Sequence, residues 1–100
     1  MPIGKYVDVQ FMTLTKTFNA LSDATRREIL EMLKKRDLAV FEIAKAFDIT
    51  LPSLSHHLTV LKNANLVTSE RRGQQIIYSL NLSVFEETAK FVFKFFNHKK

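Results

Sequence analysis

One hundred residues with 46% hydrophobic and 25% charged side chains, and few glycines or prolines, describe one soluble, helix-rich domain large enough to bury a core without metal or disulfide support. The absence of cysteine excludes disulfides, thiolate metal sites and thiol redox sensing within the chain, and no apolar run approaches the ~20 residues needed to span a bilayer. A net charge of +5 favours polyanionic partners without deciding among them.

The opening MPIGKYVDVQF has no basic start, long apolar stretch or small-residue cleavage site, so secretion is not signalled and the cytoplasm is the expected compartment. Residues 1–10 read as a flexible lead-in to one domain over 11–97, with no repeat or linker dividing it. Phe11, Leu14, Phe18 and Leu21 fall at helical spacing and predict a first helix ending near Ser22. Asp23 is placed to cap a second helix, in which Ile29, Leu30 and Leu33 face inward while Arg27, Glu31, Lys34 and Lys35 stay wet. A short third helix is expected over 40–47. Thr50 then caps a fourth, whose first turn tolerates Pro52 because that amide would lack an intrahelical partner anyway.

In the fourth helix Leu54, Leu58 and Leu61 share one face. The opposite face carries Pro52, His56, Thr59 and Asn63, with Ser53 and Ser55 on its shoulders, all short groups that permit close approach to another surface. Residues 66–70 and 75–80 read as two strands around Arg71, Arg72, Gly73 and Gln74, with Gly73 free to take positive φ at the turn. The last segment, 83–96, predicts a helix opened by a Ser83 cap with Glu86 three residues on, a capping box. Its apolar positions form two stripes, Val84, Phe91 and Phe95 in one and Phe85, Ala89, Val92 and Phe96 in the other. That is more apolar surface than one domain face needs, and a second subunit is the simplest cover.

The third and fourth helices, joined through Phe47, Asp48, Ile49 and Thr50, make a helix-turn-helix, and the arginine-tipped hairpin makes it a winged one. The fold class expected is therefore mainly α, a winged helix-turn-helix in the order α-α-α-α-β-β-α. Its N- and C-terminal helices would form a dimer interface from Phe11, Leu14, Phe18, Phe85, Ala89, Val92 and Phe96. The N-terminal half of the fourth helix would enter the major groove of double-stranded DNA. Ser53, Ser55, His56 and Thr59 would reach base edges or phosphates there, and Lys62 would aid phosphate binding near the helix end. Arg71 and Arg72 would lie along phosphates or enter a narrow minor groove, with Gln74 and Gln75 weaker candidates.

Each of these features has a plainer reading. The polar helix face could be merely solvated, and turn arginines often serve solubility alone, but their combination on one basic chain points to DNA. A winged helix bound to an acidic protein partner is the rival from another class. His56 and His57 are adjacent, about 100° apart on a helix, and so are poorly spaced to grip one ion; His57 turns toward the Leu54 and Leu61 side as a packing residue. No carboxylate is placed in sequence to orient a histidine base and no glycine-rich phosphate cradle occurs, so no catalytic residues, metal site or cofactor are expected. A membrane-surface role for the Phe-rich last helix fits poorly with Glu86 and Glu87 on a narrow polar face.

FNALSDATRREILEMLKK, then DLAVFEIAKAF, then ITLPSLSHHLTVLKNANLVTSERRGQQIIYSL resembles the ArsR family of bacterial winged-helix repressors over most of residues 18–80. The resemblance implies a homodimer that binds a twofold-symmetric operator and blocks transcription until a signal or partner protein releases it. Many members sense metals through a Cys-Val-Cys element in the third helix. Here Ala39 and Phe41 stand where thiolates would, and residues 81–97 contain neither the Asp nor the His of the family's other metal site. The chain thus looks most like the metal-free, SdpR-like autorepressor subset. It departs from the family pattern at Ala24, where Pro is usual, and at Leu51 and Pro52, which replace the polar residues common at the start of the reading helix.

Overall fold

The computed structural model describes residues 9–96, with side chains from residue 13 onward. Of the expected lead-in, residues 1–8 lie outside the described residues, as does the side chain of Phe11. The elements are α1 (Val9–Leu21), α2 (Ala24–Lys35), β1 (Leu38–Ala39), α3 (Val40–Ala44), α4 (Leu51–Asn63), β2 (Val67–Arg72), β3 (Gln75–Leu80) and α5 (Leu82–Phe96). This is the expected winged helix-turn-helix with one element added. The antiparallel sheet runs β1-β3-β2, because the two residues of β1 pair Leu38 with Tyr78 and Ala39 with Ile77. Two residues show no alternation, so only the docking of this segment beside β3 reveals it as a strand.

The helix starts follow from local chemistry. Asp23 accepts a hydrogen bond from the Arg26 backbone N–H at 3.1 Å, which satisfies one of the orphan donors of α2 and holds the carboxyl below its ordinary pKa. Thr50 Oγ1 accepts from the Ser53 N–H at 3.2 Å and caps α4 in the same way, with Pro52 in the first turn. At α3 the cap is a carboxylate reaching back: Glu42 Oε1 accepts from the Ala39 N–H at 2.8 Å. That bond, with the Arg36 guanidinium 3.0 Å from Oε2, holds the Glu42 carboxyl below its usual range.

Three helix boundaries differ from expectation. The first helix already includes Val9 and Gln10. The third stops at Ala44, three residues short of the expected end, because Ala46 and Phe47 donate to Ile43 and Ala44 in i→i−3 bonds that tighten the chain into a turn. The Ser83 cap and its Glu86 capping box do not form: α5 starts at Leu82, and the Ser83 hydroxyl, now inside the helix, donates to Asn81 Oδ1 at 2.9 Å.

The core lies where α2 and α4 meet under the sheet, with Ile29, Leu33, Leu54, Leu58, Leu61 and Leu66 among its buried members. The expected inner faces of α2 and α4 are those observed. At ~25 cal/mol per Å² of apolar surface this cluster is the main source of stability. α5 contributes little to it: Val84 and Phe85 pack against the core, but no residue of the helix is fully buried. Phe95 and Phe96 are 69% and 73% exposed. No helix among the described residues is long and apolar enough to cross a membrane.

Candidate nucleic-acid interface

The reading helix is seated by its two ends. At its C-terminus the NANLV step forms a Schellman motif, in which Leu66 N–H donates to Leu61 O at 3.0 Å and Asn65 N–H to Lys62 O at 2.9 Å. Asn65 takes the left-handed conformation this requires, with φ 61°, a role asparagine fills better than most non-glycine residues. Asn81 then bonds the motif to the start of α5, its backbone N–H to Leu66 O and its side-chain Nδ2 to Asn65 O, both at 2.9 Å. The end of the reading helix and the start of α5 are therefore tied to each other by two hydrogen bonds.

The flank of α4 is fixed by a cation that the sequence reading passed over. Arg26 is 8% exposed. Its Nε donates to Ala20 O at 2.8 Å and Nη2 to Asn19 O at 3.1 Å, which caps the carbonyl end of α1. Its Nη1 lies 3.1 Å from His57 Nδ1 on α4, and Asp23 Oδ1 lies 3.9 Å from the same nitrogen. His57 thus packs inward as expected, but as a hydrogen-bonded tie between three helices. A signal for this existed in the sequence: Arg26, Ile29, Leu30 and Leu33 are spaced i, i+3, i+4 and i+7, so Arg26 shares the register of the buried face.

With the Leu54, Leu58 and Leu61 face buried, α4 presents Ser55, His56, Thr59 and Lys62 to solvent, while Ser53 is half-buried on its shoulder. The His56 and His57 rings sit 5.8 Å apart at 55°, and no group of three or more metal-ligating side chains forms among the described residues. Ser55 and Thr59 do not face solvent alone. They line one side of a groove of about 460 Å³ whose other walls include Phe41, Leu51, Gln74, Gln75 and Ile76. The structure thus brings the reading helix and the tip of the wing to one concave surface, and Gln75 joins Gln74 there.

The wing is a hairpin whose strands pair Arg72 with Gln75 and Arg71 with Ile76. Its two-residue turn, Gly73 and Gln74, places Gly73 at φ 63°, the first central position of a type II′-like turn, where glycine carries no Cβ penalty. Arg71 and Arg72 were expected in the turn but occupy the last two positions of β2. Consecutive strand residues point to opposite faces, so the two arginines straddle the wing. Arg71 shares the face of its partner Ile76 and donates to Gly73 O at 3.3 Å, whereas Arg72 pairs with Glu70 at 3.1 Å on the other. Both are exposed.

The expected dimer residues divide. Leu14 is only 9% exposed, covered by the chain's own atoms, whereas Phe18, at 47%, keeps open apolar area among the described side chains of α1. On α5, Ala89 and Phe96 are exposed while Phe85 and Val92 are half-buried, and Phe91 and Phe95 stack edge to face at 5.4 Å. At the positions where family thiolates would stand, Ala39 is buried in β1, and Phe41 is an exposed α3 ring with Lys45 Nζ 5.4 Å from its centroid.

Comparison with known proteins places this geometry. Residues 23–69 match the model of a family described as bacterial regulatory protein, arsR family. The chain is 43% identical over 84 residues to the transcriptional repressor SdpR of Bacillus subtilis, covering 84% of this chain and 93% of that one. Among solved structures, an ArsR-like transcriptional regulator from Rhodococcus superposes with a TM-score of 0.77 at 29% identity, over 85% of this chain and 80% of its own. The homodimeric winged helix-turn-helix DNA-binding domain of Mb0332 from Mycobacterium bovis does so at 0.71 and 26% identity, over 89% and 86%.

Proposed function

Since the chain belongs to the arsR family of bacterial regulatory proteins and is a DNA-binding transcriptional repressor with a winged helix-turn-helix, we propose that it works as a homodimer on an inverted-repeat operator, without a metal site of its own. The observation that carries the proposal is the single concave surface shared by Ser55 and Thr59 of α4 and Gln74 and Gln75 of the wing, flanked by arginines on both wing faces. Ser53, Ser55, His56 and Thr59 read or position the major groove, Lys62 neutralises a phosphate at the helix end, and Arg71, Arg72 and Gln74 hold the wing on the backbone.

The homodimer is supported by the apolar surface left open on Phe18, Phe93, Phe95 and Phe96, and by the relative that is itself homodimeric. A twofold pair of reading helices spaced by one DNA turn, about 34 Å, requires an operator with matching half-sites. The metal-free reading rests on the donors this chain has: no cysteine anywhere, alanine and phenylalanine at the thiolate positions, and no Asp or His in 81–97. Relief of repression then comes from a signal or partner acting elsewhere, in the cytoplasm where the operator lies.

Selection of bound duplexes from a random pool tests the reading, with sedimentation run in parallel. The expected results are enrichment of an inverted repeat and a dimer at micromolar concentration. Enrichment of nothing at moderate salt, with tight binding to an acidic protein surface instead, would return the chain to the protein-recognition class; a monomer bound to a single asymmetric site would remove the twofold model.

A further inference from the structure

The first turn of the reading helix has a chemistry the rest of its face lacks. Leu51, the first residue of α4, is 64% exposed, and Pro52 beside it is exposed too. Neither side chain offers a donor or an acceptor. Leu51 does not cover the core; it lines the same groove as Ser55, Thr59 and Gln74, with Phe41 and Ile76 as apolar neighbours. A large aliphatic group held in water at the leading end of a helix that enters a major groove needs a partner that rewards its burial.

The major groove displays one apolar group, the 5-methyl of thymine. Apart from the bare C5–H of cytosine, the other groups there are donors or acceptors, and covering one of those with leucine strips it of water without returning a hydrogen bond. Leucine at this position therefore selects in two ways, by burying a methyl against thymine and by leaving O6, N7 or the cytosine amine unpaired at a wrong base. We propose that Leu51 is a specificity-determining residue that reads a thymine methyl in each half-site, while the hydroxyls and amides along the same groove make the polar contacts. Pro52, with its ring-locked φ, restricts the backbone in the same turn and stiffens that end of α4.

The proposal rests on the DNA-reading function above and predicts a chemical signature that polar readout does not share. Replacing thymine by deoxyuridine deletes only the methyl group. With the duplex selected by the wild-type protein, one thymine per half-site should be sensitive: its replacement should weaken binding about fourfold, the worth of one buried methyl, and roughly fifteenfold when both half-sites are changed. In Leu51→Ala the same replacement should have no effect, while replacements at other thymines keep their wild-type response. Leu51→Gln should instead shift the preferred base toward adenine, through a bidentate amide contact. Since Leu51 is largely exposed, both variants should fold, which their circular dichroism and melting will show. If wild type selects a duplex but no thymine responds to loss of its methyl, or if the response survives in Leu51→Ala, this assignment fails and the DNA-reading function stands. If no duplex is selected at all, both fall together.

Discussion

Removing Arg72 gives the most direct measure of what the wing does. Its guanidinium is well exposed and pairs with Glu70 at 3.1 Å, an exposed pair worth at most ~1 kcal/mol, so exchanging Glu70 for a phosphate meets little resistance. Each phosphate neutralised on duplex DNA contributes ~0.9 to the slope of log affinity against log salt, and a dimer carries two wings. Arg72→Ala should therefore flatten that slope by about 1.8. Between about 50 and about 200 mM salt the wild type should then lose roughly twelvefold more affinity than the variant, measured by fluorescence anisotropy on one operator. Glu70→Gln should move affinity the other way, since it frees the guanidinium and removes a negative charge beside the backbone. Arg71 lies on the opposite face, beside Ile76, so its loss should subtract independently of Arg72. An unchanged slope in Arg72→Ala would refute the wing assignment, and a loss confined to one operator sequence would make Arg72 a base reader instead.

Three further outcomes concern the scaffold beneath the interface. Arg26→Met keeps the buried stem but strands the carbonyl of Ala20, whose bond is buried, and frees His57; a loss of about 2 to 4 kcal/mol in urea unfolding at fixed protein concentration is expected, and a loss below ~0.5 would show the tie between α1, α2 and α4 to be dispensable. Thr17 is fully buried and its hydroxyl has no hydrogen-bond partner, so Thr17→Val should stabilise by about 1 kcal/mol in the same assay; destabilisation would reveal a hidden partner. Asp23 and Glu42 are held below their ordinary values of 3.8 and 4.5, chiefly by the backbone N–H groups of Arg26 and Ala39. The unfolded chain then binds protons more readily, so their contribution is complete above the unfolded values and disappears as pH falls through the folded ones. Asp23→Asn with Glu42→Gln should flatten the acid limb of the stability profile, and an acid limb parallel to wild type would dismiss both groups as its source.

The likeness to the arsR family and the structure agree on how far this chain can be read in one dimension. Strongly periodic segments were legible: the inner faces of α2 and α4, the Asp23 and Thr50 caps and the Gly73 turn all follow from local rules that act over a few residues. The missed features are those in which a local signal was absent or outweighed. Ser83 and Glu86 spell a capping box, yet Asn81, bonded to Asn65 and Leu66 across the fold, draws the helix start one residue earlier. Arg26 looks like one more surface cation until the carbonyl end of α1 and His57 close around it.

The amino-acid sequence by itself determined the family, the order of the helices, the side of α4 left for contact and the lack of thiolate ligands, because each depends on residue type and short-range spacing. Only the tertiary structure decided that β1 exists, that Arg71 and Arg72 face opposite ways, that Leu14 is buried within its own chain, and that Leu51 shares a groove with Ser55, Thr59 and the wing tip. Those depend on strand register and on which distant segments pack side by side, and the sequence spacing that specifies a helix face carries no record of what that face will meet.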